Sequence, residues 1–103
     1  MVDYMGISGL QRYMLLACEE HGGSSNRAPF LRFYSHNGKP PSHHDQVNAI
    51  TVSIERLIDR ELLTGYGVRT RRKWFIRSVT LTAKGKRLAR ALLGKQQQLP
   101  LKS

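Results

Sequence analysis

A change of hydrophobic period within residues 42–81 constrains this chain more than any other feature. From Ser42 to Leu63 apolar side chains fall at Val47, Ile50, Ile54, Leu57, Ile58 and Leu62, the spacing of a helix with one buried face. Ser42, three residues ahead of Asp45, predicts an N-cap, and Pro40-Pro41 just upstream ends any preceding element. The period then shifts. Thr64 to Val68 is short and rich in turn formers, Arg69 to Lys73 is cationic, and Trp74 to Leu81 is β-branched and aromatic. This predicts two antiparallel strands with a basic tip between them.

The remaining segments read as support. Ser8 to Gln11 has the form of a capping box, and Leu10, Tyr13, Met14 and Ala17 recur at helical spacing as far as Glu20, where His21-Gly22-Gly23 stops the helix. Cys18 is expected as a small buried apolar residue. Ser24-Ser25-Asn26 is read as a loop able to cap a second, short helix that begins near Pro29 and carries Phe30, Leu31, Phe33 and Tyr34. His36 to Pro41 comes next as a turn, longer than a tight helix-turn-helix requires. After the hairpin, Thr82 caps a last helix with Leu88, Ala91 and Leu92 inward, and Gly94 is expected to end it. Residues 1–103 form one domain on this reading, with 1–7 and 95–103 as loose tails. A helix joined to a small hairpin with a cationic tip is the working end of a winged helix. The fold class expected is α+β, a winged helix-turn-helix of three helices, a two-stranded β-hairpin wing and a C-terminal helix.

Charge sharpens the functional reading. The net charge is +10 at pH 7, and all seven acidic residues lie at or before position 61. From Arg69 to the end there are eleven Lys or Arg and no acid. Such asymmetry points to a polyanion, most often nucleic acid. No apolar run is long enough to span a bilayer, no secretory signal opens the chain, and the lone Cys18 excludes an internal disulfide. A cytoplasmic, nucleoid-associated protein is expected. Gly-rich phosphate loops, paired carboxylates in apolar surroundings and zinc motifs are all missing, so neither an enzyme nor a cofactor is expected. His21, His36, His43 and His44 lack the spacing of a metal set.

On a helix at about 100° per residue, Ile50, Ile54 and Leu57 face inward. Asp45, Asn48, Ala49, Val52, Arg56 and Asp59 then face outward, with Gln46 and Ser53 on one flank. Asn and Gln can pair with adenine, Arg with guanine, and small or apolar residues can touch a thymine methyl. Gln46, Asn48, Ala49, Val52, Ser53 and Arg56 are therefore candidate base contacts, and His44 a candidate phosphate contact at the helix start. An ordinary solvated face has the same composition, and Asp45, Glu55 and Asp59 confine any contact to part of it. Arg69, Arg71, Arg72 and Lys73 in the wing would meet phosphates or enter a narrow minor groove. Trp74 is expected to pack at the strand base.

Residues Ile50 to Leu63, the basic hairpin, and Val79-Thr80-Leu81-Thr82-Ala83-Lys84-Gly85 to Leu88 together resemble winged-helix regulators of the MarR type over about residues 47–92. The most specific part is Leu81 to Gly85, where strand hands over to helix. The resemblance implies that Thr51, Val52 and their neighbours face DNA, and that Arg71 and Arg72 stand for the wing arginines. The chain differs from that pattern in having Glu61 where the family usually has Gly, and in a wing without any acid. The family dimerises through long terminal helices. Only about ten residues follow Leu93 here, so any homodimer of this chain is expected to use the first helix or a different surface. No small-molecule effector is evident.

The main expectation is a small regulator binding double-stranded DNA at specific sequences, with the third helix in the major groove. A non-specific nucleic-acid-binding protein, architectural or RNA-associated, is the first alternative. A winged helix holding an acidic protein partner is the second.

Overall fold

All four stretches expected to be helical form helices, and the hairpin gains a third strand. A computed structural model describes residues 6–36 and 38–98. The order is α1 (Gly9–Glu20), β1 (Ser24–Asn26), a 3-10 helix (Ala28–His36), α2 (His43–Asp59), β2 (Leu63–Arg69), β3 (Trp74–Leu81) and α3 (Ala83–Gln98). One antiparallel sheet runs β1-β3-β2, so β3 is central. Asn37, in the expected turn, lies outside the described residues, as do 1–5 and 99–103.

The capping box of α1 is formed as expected: Gln11 N–H donates to Ser8 Oγ at 3.1 Å and Ser8 N–H donates to Gln11 Oε1 at 3.2 Å. Gly23, at φ 110°, turns the chain into β1, and its carbonyl accepts from Leu81 N–H at 2.7 Å. Ser24–Asn26 is a strand rather than the expected loop, with Ser24, Ser25 and Asn26 opposite Thr80, Val79 and Ser78. Asn26 still caps the 3-10 helix, its Oδ1 accepting from Ala28 N–H at 3.0 Å. That helix is nine residues long, with Phe30 and Tyr34 inward.

α2 ends at Asp59, short of the expected Leu63, because the chain reverses at Glu61 in the left-handed region (φ 63°). Here lies the physical meaning of Glu61 standing where Gly is usual. The reversal is locked from the other end of the hairpin. Thr82 Oγ1 donates to Glu61 carbonyl at 2.6 Å and accepts from Gly85 N–H at 2.9 Å, while Thr82 N–H donates to Leu62 carbonyl at 3.1 Å. A Cβ on Gly85 would collide with that Leu62 carbonyl. The Leu81 to Gly85 motif therefore joins the base of the wing to the end of α2 while it starts α3.

α3 runs through Gly94 to Gln98, so Gly94 does not end it and residues 95–98 are helical rather than tail. Nor are residues 6 and 7 loose: Ile7 packs on the core and Gly6 carbonyl accepts from Arg60 Nη1 at 3.3 Å. The core joins Met14, Leu15 and Cys18 of α1, Phe30, the α2 stripe Ile50, Ile54 and Leu57, the strand residues Ile76, Val79 and Leu81, and Leu88, Ala89 and Leu92 of α3. Ala91 is half-buried. Burial pushes the Cys18 thiol up from 9.0 to about 12, as expected for an inert interior residue. α1 and α3 pack along each other and are pinned at the surface by Glu19 Oε2 and Arg90 Nε, 3.1 Å apart. The α2 stripe rests on this platform, leaving one side of the helix and the whole wing tip open.

Candidate nucleic-acid interface

The N-terminus of α2 is well anchored. Ser42 Oγ accepts from Asp45 N–H at 3.2 Å, and Gln46 Nε2 donates back to Pro41 carbonyl at 2.8 Å. Gln46 is thereby half-buried and engaged in holding the helix start. His44, Asn48, Val52 and Arg56 are exposed, Val52 at 44% despite its apolar side chain. Asn48 Nδ2 and His44 Nε2 lie 3.2 Å apart, one turn from each other on the same ridge. The other candidates point elsewhere. Ser53 is buried, because it falls between Ile50 and Leu57 inside the apolar stripe rather than on its flank. Ala49 is half-buried against the core, and Thr51 turns toward the wing. The open ridge of α2 is therefore His44, Asn48, Val52 and Arg56, with Asp45, Glu55 and Asp59 also exposed.

The wing is a hairpin with a defined apex. β2 pairs with β3 from Leu63 opposite Leu81 to Arg69 opposite Trp74, with one bulge between Tyr66 and Gly67. A Cβ on Gly67 would strike the Phe75 carbonyl, so the bulge needs glycine there. Thr70 closes the tip: its N–H and Oγ1 both donate to Lys73 carbonyl, at 2.8 and 2.9 Å, and Oγ1 accepts from Lys73 N–H at 3.1 Å. Arg71 and Arg72 sit at this apex, exposed, and Glu19–Arg90 is the one ion pair among the described residues. Arg69 lies over the Trp74 ring at 4.4 Å, and Lys73 over Phe75 at 5.2 Å. Trp74 is half-buried against the core, although it stands at the tip end of the hairpin, opposite Arg69, rather than at its base. Tyr66, Val68 and Phe75 are about half exposed, so the cationic wing also carries apolar surface.

A groove of about 540 Å³ separates α2 from the wing, bounded by Val47 and Thr51 on one side and by Val68, Lys73 and Phe75 on the other. Arg27, which the sequence did not single out, lies in it. Its Nη1 donates to Ile76 carbonyl at 3.2 Å, and its Nη2 donates to Val47 carbonyl at 3.2 Å and to Thr51 Oγ1 at 2.5 Å. Burial lowers the pKa of this guanidinium, and the charge of Glu55 partly restores it. No local pattern marks Arg27: its partners lie 20 to 49 residues away, and it stands after a polar tripeptide. Among the described residues no cluster of His, Cys, Asp and Glu could hold a metal ion.

No protein-family model matches this chain, and no curated protein matches it by sequence. Solved structures do match. ZitR of Lactococcus lactis superposes with a TM-score of 0.62 at 17% identity, over 91% of this chain and 61% of its own. The adhesin competence repressor AdcR of Streptococcus pyogenes gives 0.64 at 13% identity, over 94% and 63%. A MepR-like protein solved with pseudoligands gives 0.57 at 31% identity, over 92% and 59%. ZitR and AdcR are MarR-family regulators. The chain spans about three fifths of the length of these structures. The helices and basic hairpin expected from the sequence are thus present, with β3 paired on its second edge by the unexpected β1, and in its fold the chain is a winged helix like these regulators.

Proposed function

We propose that this chain binds double-stranded DNA as a small, sequence-specific transcriptional regulator, with α2 in the major groove and the wing on phosphates or in the adjacent minor groove. One observation carries the reading. The open ridge of α2 and a hydrogen-bonded hairpin apex bearing Arg71 and Arg72 without acidic partners flank a single groove. Cations held apart and unneutralised are suited to release counterions from a phosphate backbone. Asn48 and Arg56 are suited to read adenine and guanine edges, and Val52 a thymine methyl. His44 stands at the helix start, where a phosphate would be favoured. Arg69 and Lys73 flank the apex and extend its field. Thr51 and Ala49 act from behind the ridge. The structural neighbours that are regulators support this assignment.

A homodimer would present two such ridges to half-sites about one helical turn apart. No described helix is long and apolar enough to cross a membrane, and a cytoplasmic, nucleoid-associated location is part of the proposal. The second reading, non-specific nucleic-acid binding, is favoured by one feature: Lys84, Lys86 and Arg87 expose positive charge on α3, away from the ridge. Substitution separates the two. Asn48→Ala and Arg56→Ala should each change which duplex is preferred. Arg71→Ala with Arg72→Ala should weaken every duplex alike. Equal affinity of the Asn48→Ala and Arg56→Ala proteins for all duplexes, with wild type equally indifferent, would leave only the second reading.

A further inference from the structure

We infer that Arg27 is the strut that sets the spacing between α2 and the wing, making it a positioning residue for DNA; the inference rests on the DNA-binding reading above. One guanidinium joins β3, through Ile76 carbonyl, to a single turn of α2, through Val47 carbonyl and Thr51 Oγ1. That turn is the inner side of the ridge carrying Asn48 and Val52. The planar fork fixes two elements at once, which a lysine ammonium on a flexible stem does not. Its acceptors are neutral, and no carboxylate forms an ion pair with it among the described residues. The charge is held by geometry in a partly desolvated groove, and burial opposes it. Without the fork, Val47 carbonyl and Thr51 keep the helix's own bonds, so α2 stays a helix, but among the described residues no other hydrogen bond ties it to β3 across the groove. The distance from Asn48 to the Arg71–Arg72 apex is then free to vary. A reader that must fit one groove with its helix and the neighbouring backbone with its wing loses both register and affinity in that case.

The test compares wild type, Arg27→Met (which keeps the apolar stem), Arg27→Lys and Thr51→Val. Two readouts are taken. In the free protein, residual dipolar couplings of α2 and of β2–β3 report their mutual orientation. In Arg27→Met the orientation should broaden or change while each element keeps its own internal couplings, and Thr51→Val should do so less. An unchanged orientation in Arg27→Met overturns the inference whatever the protein binds. With a duplex selected by wild type, Arg27→Met and Arg27→Lys should bind about tenfold or more weakly, as loss of charge-assisted hydrogen bonds implies. Their preference over random duplex should shrink, and the salt dependence should stay that of wild type. A salt slope lower by about 0.9 would overturn it by making Arg27 a direct phosphate contact. A lowered melting temperature with selectivity intact would also overturn it, leaving a purely structural residue. If wild type prefers no duplex, the DNA-specific reading fails, and the couplings alone decide whether the strut exists.

Discussion

At Glu61 an ordinary L-residue occupies a left-handed position that the chain needs in order to leave α2 and enter β2. The Cβ there costs about 1–2 kcal/mol, and glycine removes that cost. Glu61→Gly is therefore expected to stabilise the fold by about 1 kcal/mol, raising the melting temperature by about 4–8 °C for a domain of this size. Thermal unfolding checks it. Thr82→Val does the reverse. It removes the bond to Glu61 carbonyl and the cap on Gly85 N–H, an expected loss of about 1–2 kcal/mol with the hairpin base loosened. Cys18 has a thiol raised from 9.0 to about 12 by burial. Because the folded value lies above the unfolded one, its stabilising share is complete below pH 9 and is lost as pH climbs toward 12. Cys18→Ala should remove that component from an alkaline stability profile, and a thiol reagent should label wild type only as it unfolds.

Elements whose signal is a repeated local pattern were legible in the sequence; those defined by a distant partner were not. Val47 to Leu57 revealed α2 through spacing alone, and Ser8 with Gln11 revealed the start of α1 through one side-chain exchange. β1 had no such signal. Ser24-Ser25-Asn26 is polar throughout and becomes a strand because β3, more than fifty residues later, offers its free edge. Arg27 was hidden for the same reason, its acceptors being assembled only by the fold. The site was half legible: His44, Asn48, Val52 and Arg56 stand open as projected, whereas Ser53 lies one step inside the stripe. Gly94 misled because glycine inside a helix costs only about 1 kcal/mol, which the helix bears without ending. A Cβ there meets nothing within 4 Å. Gly94→Ala should accordingly gain about 0.5–1 kcal/mol in unfolding measurements. Gly67→Ala should cost about 1–3 kcal/mol by forcing the bulge against Phe75, with the amide resonances of the wing shifted most.

Across the molecule, positive charge and apolar core are kept apart. Helices α1 and α3 with the inner stripe of α2 build the support, and the cations collect on the wing and the outside of α3. A net charge of +10 on 103 residues makes any duplex affinity steeply dependent on salt. The wing and the ridge should divide that affinity. On the proposed function, with the wing arginines on phosphates, Arg71→Ala with Arg72→Ala would remove two such contacts, so the slope of log affinity against log salt should fall by about 1.8. Arg56→Ala, at the base contact proposed for it, should leave the slope nearly unchanged and relax one position of the site. The measurement that tests the account most directly is selection of binding sites from a random duplex library at moderate salt. The wing double variant is run beside wild type. The account predicts one enriched motif shared by both proteins, with weaker binding by the variant throughout. Salt-sensitive binding with no enriched sequence, or a wing variant as tight as wild type, would contradict it.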